Sequence, residues 1–194
     1  MNYLAHSFLS NNNENLIIGN FIADDVKGKA YLNYPSEIQQ GILLHRKIDD
    51  FTDSHLTVEN SKMLIRGNQN KFTPVVMDVF YDYFLASDWH TYSESDLLNF
   101  TKNIYKILFK NITLLPRNSQ MRLPFMAKSN WLYSYRNIDG IQKALTGMSK
   151  RTNYANNMDN AHHILKEKEL ELNNDFKLFF PELIEFTNSE INNF

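Results

Sequence analysis

No cysteine occurs among the 194 residues. Thiol nucleophiles, thiolate metal sites and disulfides are therefore excluded, and a reducing compartment is compatible with the chain. Glycine and proline are scarce, at six and five, which leaves no low-complexity linker to divide the chain. No apolar run approaches the roughly 18 residues that a membrane span needs. The opening Met1-Asn2-Tyr3-Leu4-Ala5-His6 has neither the basic flank nor the apolar stretch of a secretory signal. P-loop, Rossmann, Gly-x-Ser-x-Gly and HExxH patterns are missing too. Few runs alternate with period two. The expectation is a cytoplasmic protein without membrane contact, all-α, a single-domain helical bundle of seven to nine helices over residues 1–194.

Helical periodicity fills the chain. A short helix covers about residues 2–10 and ends in Asn11-Asn12-Asn13, since asparagine tolerates turns. Leu16, Ile17, Ile18, Phe21 and Ile22 mark a second, and Gly28, after Asp24-Asp25, is placed to break the element. Ser36 starts a third near its cap or first turn, in which Gly41, Leu44, Ile48 and Phe51 form a core-facing stripe. A polar helix runs to about Gly67, and Thr73-Pro74 opens a strongly apolar one through Val75, Val79, Phe80, Phe84, Leu85 and Trp89. Ser95 opens another, to about Lys110. Pro124 is expected to interrupt or kink any helix drawn through it, residues 138–149 read as a helix, a long helix passes Met158 to Phe179, and Pro181 begins the last.

Charge is unevenly spread. Residues 116–151 carry 7 Lys/Arg against 1 Asp/Glu, while residues 152–194 carry 3 against 8. A basic stretch of this kind attracts an acidic partner, unless the acidic tail balances it in three dimensions. Its aromatic residues could stack on single-stranded nucleic acid, but Trp131, Leu132 and Tyr135 fall at helical spacing, which marks core, and no nucleic-acid partner is expected.

The chemistry lies in ionisable residues set into apolar helical runs. His45 and Asp49 are one helical turn apart, so their Cβ atoms lie roughly 5–6 Å apart on one face. Asp78 and Asp82 repeat that spacing in the helix opened by Thr73-Pro74. His6 and Asp24 sit at the ends of apolar stretches. Burying an ionised carboxylate without a partner is costly, so His6, Asp24, His45, Asp49, Asp78 and Asp82 are candidate ligands for a shared cation. Imidazole and carboxylate without thiolate suit Mn, Fe, Zn or Mg. His55 sits where its helix ends and could still touch the cleft. His90, His162 and His163 read as surface residues, and Asp25 and Asp50, turned about 100° from better candidates, as solvated ones.

Several ordered motifs resemble one family. Met1-Asn2-Tyr3-Leu4-Ala5-His6, Gly19-Asn20-Phe21-Ile22-Ala23-Asp24 with Val26-Lys27-Gly28, Gly41-Ile42 with His45-Arg46, Ile48-Asp49 and Thr52-Asp53, Asp78 with Asp82, Phe84-Leu85 and Trp89, Trp131-Leu132 with Tyr135-Arg136, and Gly147-Met148 with Arg151 are similar to the acyl carrier protein phosphodiesterases, also called acyl carrier protein hydrolyases. The resemblance spans residues 1 to about 151; beyond that it is one of length and helicity only. It implies a divergent HD-domain-like phosphohydrolase using a divalent ion, commonly Mn2+, with Mg2+ or Fe2+ as alternatives. The implied reaction removes 4′-phosphopantetheine from holo-acyl carrier protein. The adjacent His-Asp pair of the wider superfamily is replaced here by His45 and Asp49.

On that reading His6, Asp24, His45, Asp49 and Asp78 hold the metal, and His45 and Asp49 belong to the catalytic centre. Arg46 and Lys27 are candidates to bind the phosphate, and Asp82 to orient water or protonate the leaving serine oxygen. The basic segment would steer a strongly acidic carrier protein. Two alternatives stand beside it: an HD-type hydrolase of a nucleotide or other small phosphodiester, and a helical module that binds an acidic protein without chemistry.

Overall fold

The computed structural model describes residues 1–194 and contains no β-strand. Its α-helices are α1 (Tyr3–Phe8), α2 (Glu14–Ile22), α3 (Ser36–Ser54), α4 (Leu56–Gln69), α5 (Thr73–Ser87), α6 (Trp89–Tyr92), α7 (Leu97–Lys110), α8 (Arg117–Lys128), α9 (Trp131–Ser134), α10 (Ile138–Ser149), α11 (Ala161–Glu167) and α12 (Glu169–Asn192). The all-α expectation holds, and the twelve segments exceed the seven to nine expected for an identifiable reason. The four-residue helices α6 and α9 are too short to display a period, and one expected long helix is broken at Lys168 into α11 and α12. No helix is long and apolar enough to cross a membrane.

The prolines bear on two expectations. α8 continues through Pro124, and α12 runs through Pro181 instead of starting there. Both prolines lie on exposed faces, where water can meet a backbone carbonyl that loses its intrahelical donor.

One core of 49 buried apolar residues extends from Met1 to Leu183. Helix α5 runs through it, buried on nearly every side from Val76 to Ala86, as an all-round apolar sequence requires. Aromatic side chains of α12 close over it: Phe176 meets the Tyr81 ring edge-on at 5.4 Å and lies 5.8 Å from Phe84.

Helices α2 and α3 approach closely because Gly19 and Gly41 face each other. A Cβ on Gly19 would lie 2.6 Å from the Gly41 Cα, and one on Gly41 would lie 2.7 Å from the Leu16 carbonyl oxygen. No side chain fits between these backbones. Their contact brings the end of α2, with Asp24 just beyond it, beside the His45 turn of α3.

Candidate metal centre

Helix α1 is anchored from below by α5. Asp82 is fully buried, and its two oxygens accept the backbone N–H groups of Asn2 (3.3 Å), Leu4 (2.8 Å) and Ala5 (3.1 Å). These are amides at a helix start that have no partner within the helix. Burial pushes the Asp82 carboxyl up to about 7 against the pull of those donors. The buried carboxylate thus supplies a cap across 77 to 80 residues of sequence, and it sets the position of His6 on the same short helix.

His6 is then fixed from behind. Its Nδ1 lies 3.1 Å from Asn20 Oδ1, so the ring donates from Nδ1. Asn20 Nδ2 donates to Ser10 Oγ (2.9 Å), and Ser10 Oγ donates to the His6 carbonyl (2.8 Å). This closed network orients the ring and sets its tautomer, as partners behind metal-binding histidines do. Sequence reasoning misses Asn20 as a site residue, although a polar side chain amid Ile17, Ile18 and Phe21 is a usable signal.

The Nε2 side of His6 faces the cluster. His6 Nε2 lies 3.2 Å from Asp49 Oδ1, His45 Nε2 lies 3.2 Å from Asp49 Oδ2, and His45 Nε2 lies 3.5 Å from Asp24 Oδ1. The two imidazoles stack at 3.9 Å between centroids. Atoms of His6, His45 and Asp49 that can each bind a metal all fall within 4.8 Å of one another. Burial, reinforced by positive His45, lowers His6 to about 4, so it is neutral at pH 7. With Nδ1 held by Asn20, it directs Nε2 at an oxygen of Asp49. Imidazole nitrogen and carboxylate oxygen brought this close are the donor types a divalent cation takes. The donor set therefore fits a divalent ion.

Charges around the cluster are strongly coupled. Burial opposes a proton on His45, yet hydrogen bonds to Asp24 and Asp49 overcome it and raise the group to about 9. Asp49 is held far below the usual carboxylate range: burial opposes its charge, while its hydrogen bond with His45, foremost, and the Met1 ammonium favour it. Asp24 is lowered chiefly by its bond to His45. The Met1 ammonium donates to Asp78 Oδ1 at 2.9 Å and lies 3.5 Å from Asp49 Oδ1, and burial raises the Asp78 carboxyl in spite of it.

These groups line a cleft of about 230 Å³, formed by Met1, Asn2, Tyr3, Asp24, His45, Asp49, Val75, Asp78, Met148 and Arg151. Of the residues that the sequence marks as candidates, Asp24, His45, Asp49 and Asp78 line it, and His6 lies behind them against Asp49 and His45. Three do not reach it. Asp82 has both oxygens engaged by α1, which corrects the expectation that it handles water or the leaving oxygen. Arg46 corrects likewise: its guanidinium donates to the Val26 and Gly28 carbonyls, each at 2.9 Å, and holds the loop after α2 instead of a phosphate. Lys27 is exposed in that loop and is not part of the cleft lining.

Other assignments also change. His55 caps α4, accepting the Thr57 N–H on Nδ1, and faces Glu182 at Nε2, so it does not join the cluster. His162 is buried and not a surface residue, with Nδ1 3.0 Å from the Asp159 carbonyl. Asp25 is bound by Ser119 and by Arg122 at 3.0 Å, not solvated, and ties the Asp24 segment to α8. The cation that does open onto the cleft is Arg151, just past the end of α10. Its place in the Gly147-Met148 motif is visible in sequence; its approach to residues a hundred positions away is not.

Comparison with known proteins agrees with this picture. The profile of the family described as acyl carrier protein phosphodiesterase matches residues 1–183, well past the residue near 151 where the motifs thin out. An acyl carrier protein phosphodiesterase of Escherichia coli O6:H1 is 30% identical over 189 residues, covering 95% of this chain and 96% of the relative. One from Enterobacter sp. strain 638 is 32% identical over 152 residues, covering 78% and 79%. One from Klebsiella pneumoniae subsp. pneumoniae is 29% identical over 185 residues, covering 95% and 96%. No solved structure matches the chain. With the family profile spanning nearly the whole sequence and relatives aligned end to end, the chain belongs to the acyl carrier protein phosphodiesterase family.

Proposed function

We propose that this protein is a divalent-cation-dependent hydrolase, HD-domain-like in its metal site, that removes 4′-phosphopantetheine from holo-acyl carrier protein. The observation that carries the reading is the convergence of His6, His45 and Asp49 on one point, with His45 and Asp49 opening on a cleft that also presents Arg151. His6, His45, Asp49 and Asp24 would hold the ion, with Asp78 completing the set from α5. The nitrogen and oxygen donors suit Mn2+, with Mg2+ or Fe2+ as the other candidates. When bound, such an ion lowers the pKa of a coordinated water and neutralises phosphoryl charge.

The chain's own residues do the positioning. Asp82 and Asn20 hold α1 and the His6 ring, and Asp49 spans both imidazoles. Arg151 at the cleft supplies the guanidinium for a nonbridging phosphate oxygen, a planar donor pair suited to it. In the reaction a water oxygen bonds to phosphorus and the bond from phosphorus to the serine oxygen breaks. One water proton ends on that serine oxygen and the other passes to solvent. Incubation with holo-acyl carrier protein and Mn2+ should release 4′-phosphopantetheine, and His45→Ala or Asp49→Ala should abolish release while the helical circular dichroism is retained. A panel containing nucleotides and small phosphodiesters tests substrate class: a strong preference for a nucleotide over the carrier protein overturns the assignment.

A further inference from the structure

Outside the metal cleft the largest unexplained feature is charge. Of the seven cations in residues 116–151, only Arg122 has a carboxylate partner, Asp25. The acidic tail does not neutralise the others. Glu182 pairs with His55, Glu190 with Lys47, and Glu167 and Glu171 with Lys168. Apart from Arg122, no ion pair ties the basic stretch to the acidic tail or to any other carboxylate.

Position distinguishes part of this charge. Gln142, Lys143, Thr146, Gly147 and Lys150 of α10 and its end surround a shallow depression of about 330 Å³ with no hydrophobic lining. The interleaved residues Met148 and Arg151 line the metal cleft, so one positive surface runs from the helix face to the reaction site. Lys143 and Lys150 are two turns apart, about 10.5 Å along the axis. Gly147 points the same way. A glycine inside a helix destabilises it relative to alanine, yet a Cβ at Gly147 would meet nothing within 4 Å. Internal packing does not require it; close approach of another molecule to this face would.

We propose that the Lys143, Gly147 and Lys150 face of α10 docks an acidic protein, the carrier whose phosphodiester enters the cleft beside Arg151. This identification of the occupant rests on the hydrolase reading above. The charge complementarity is that between an uncompensated row of lysines and a strongly acidic partner, and the continuity with the cleft explains why docking there would deliver the phosphodiester.

Two variants test it, Lys143→Glu/Lys150→Glu and Gly147→Leu. Both should raise KM for holo-carrier protein by about tenfold or more with kcat within about twofold, the first because charges at the rim of an interface act mainly on encounter, the second because the new side chain blocks close approach to the helix. Hydrolysis of bis(p-nitrophenyl) phosphate and the melting temperature should not fall. The double variant's defect should shrink in about 0.5 M salt, where exposed charges are screened. Fluorescence anisotropy with labelled carrier protein reads docking directly and keeps the two readings separate. If the wild-type protein releases no 4′-phosphopantetheine, the substrate assignment fails; if it does and both variants bind and turn over carrier protein normally, the docking face fails. Binding of heparin or single-stranded RNA as tight as that of carrier protein would show a general polyanion surface and overturn the proposal.

Discussion

Replacing Asp82 by asparagine separates a structural carboxylate from a catalytic one. The wild-type oxygens accept three buried N–H groups, from Asn2, Leu4 and Ala5. An amide has one oxygen, so its NH2 must face at least one of these donors. If the oxygen keeps Asn2 and Ala5, the amide nitrogen opposes the Leu4 N–H at the 2.8 Å site, leaving two donors buried without acceptors. Each such group costs about 1–3 kcal/mol, so the expected loss is about 3 kcal/mol. For a chain of this length that corresponds to a fall of about 6–12 °C in melting temperature. The assay is thermal circular dichroism at pH 8, above the value near 7 to which burial pushes this carboxyl, so that the wild-type group is ionised. Metal affinity should fall with stability, since α1 carries His6. An Asp82→Asn protein that melts within a degree of wild type while losing turnover would refute the capping role and return Asp82 to the reaction.

Gly41→Ala should lower stability by about 3 kcal/mol in urea titration, because the new methyl meets the Leu16 carbonyl and Gly19 Cα across the α2 and α3 contact. Arg151→Ala should reduce kcat/KM about 100-fold with an unchanged melting temperature, as loss of a group that stabilises transition-state charge. Arg46→Ala should do the reverse, lowering stability by about 1–2 kcal/mol through the freed Val26 and Gly28 carbonyls while turnover is far less affected. Asn20→Ala should weaken Mn2+ binding about 10–100-fold by calorimetry, since the His6 ring loses the partner that orients it.

Helices were legible in the sequence because periodicity is local: α3, α5, α7 and α10 appear within a few residues of where spacing and caps put them. The pairing of His45 with Asp49 was legible for the same reason, one turn being fixed by helix geometry. Residues that share a row in sequence but differ in role were not. Asp78 and Asp82 are equivalent by spacing, yet Asp78 opens on the cleft and Asp82 meets the amides of α1. Arg46 stands next to a cluster residue and holds a loop, whereas Arg151 comes to the cleft from the far end of α10. The sequence by itself determined the helical class and the stock of imidazoles and carboxylates. Only the tertiary structure decided which of them converge, because a buried charge takes its role from the partners packing brings within about 3 Å, and those partners lie 77 or more residues away in Asp82's case.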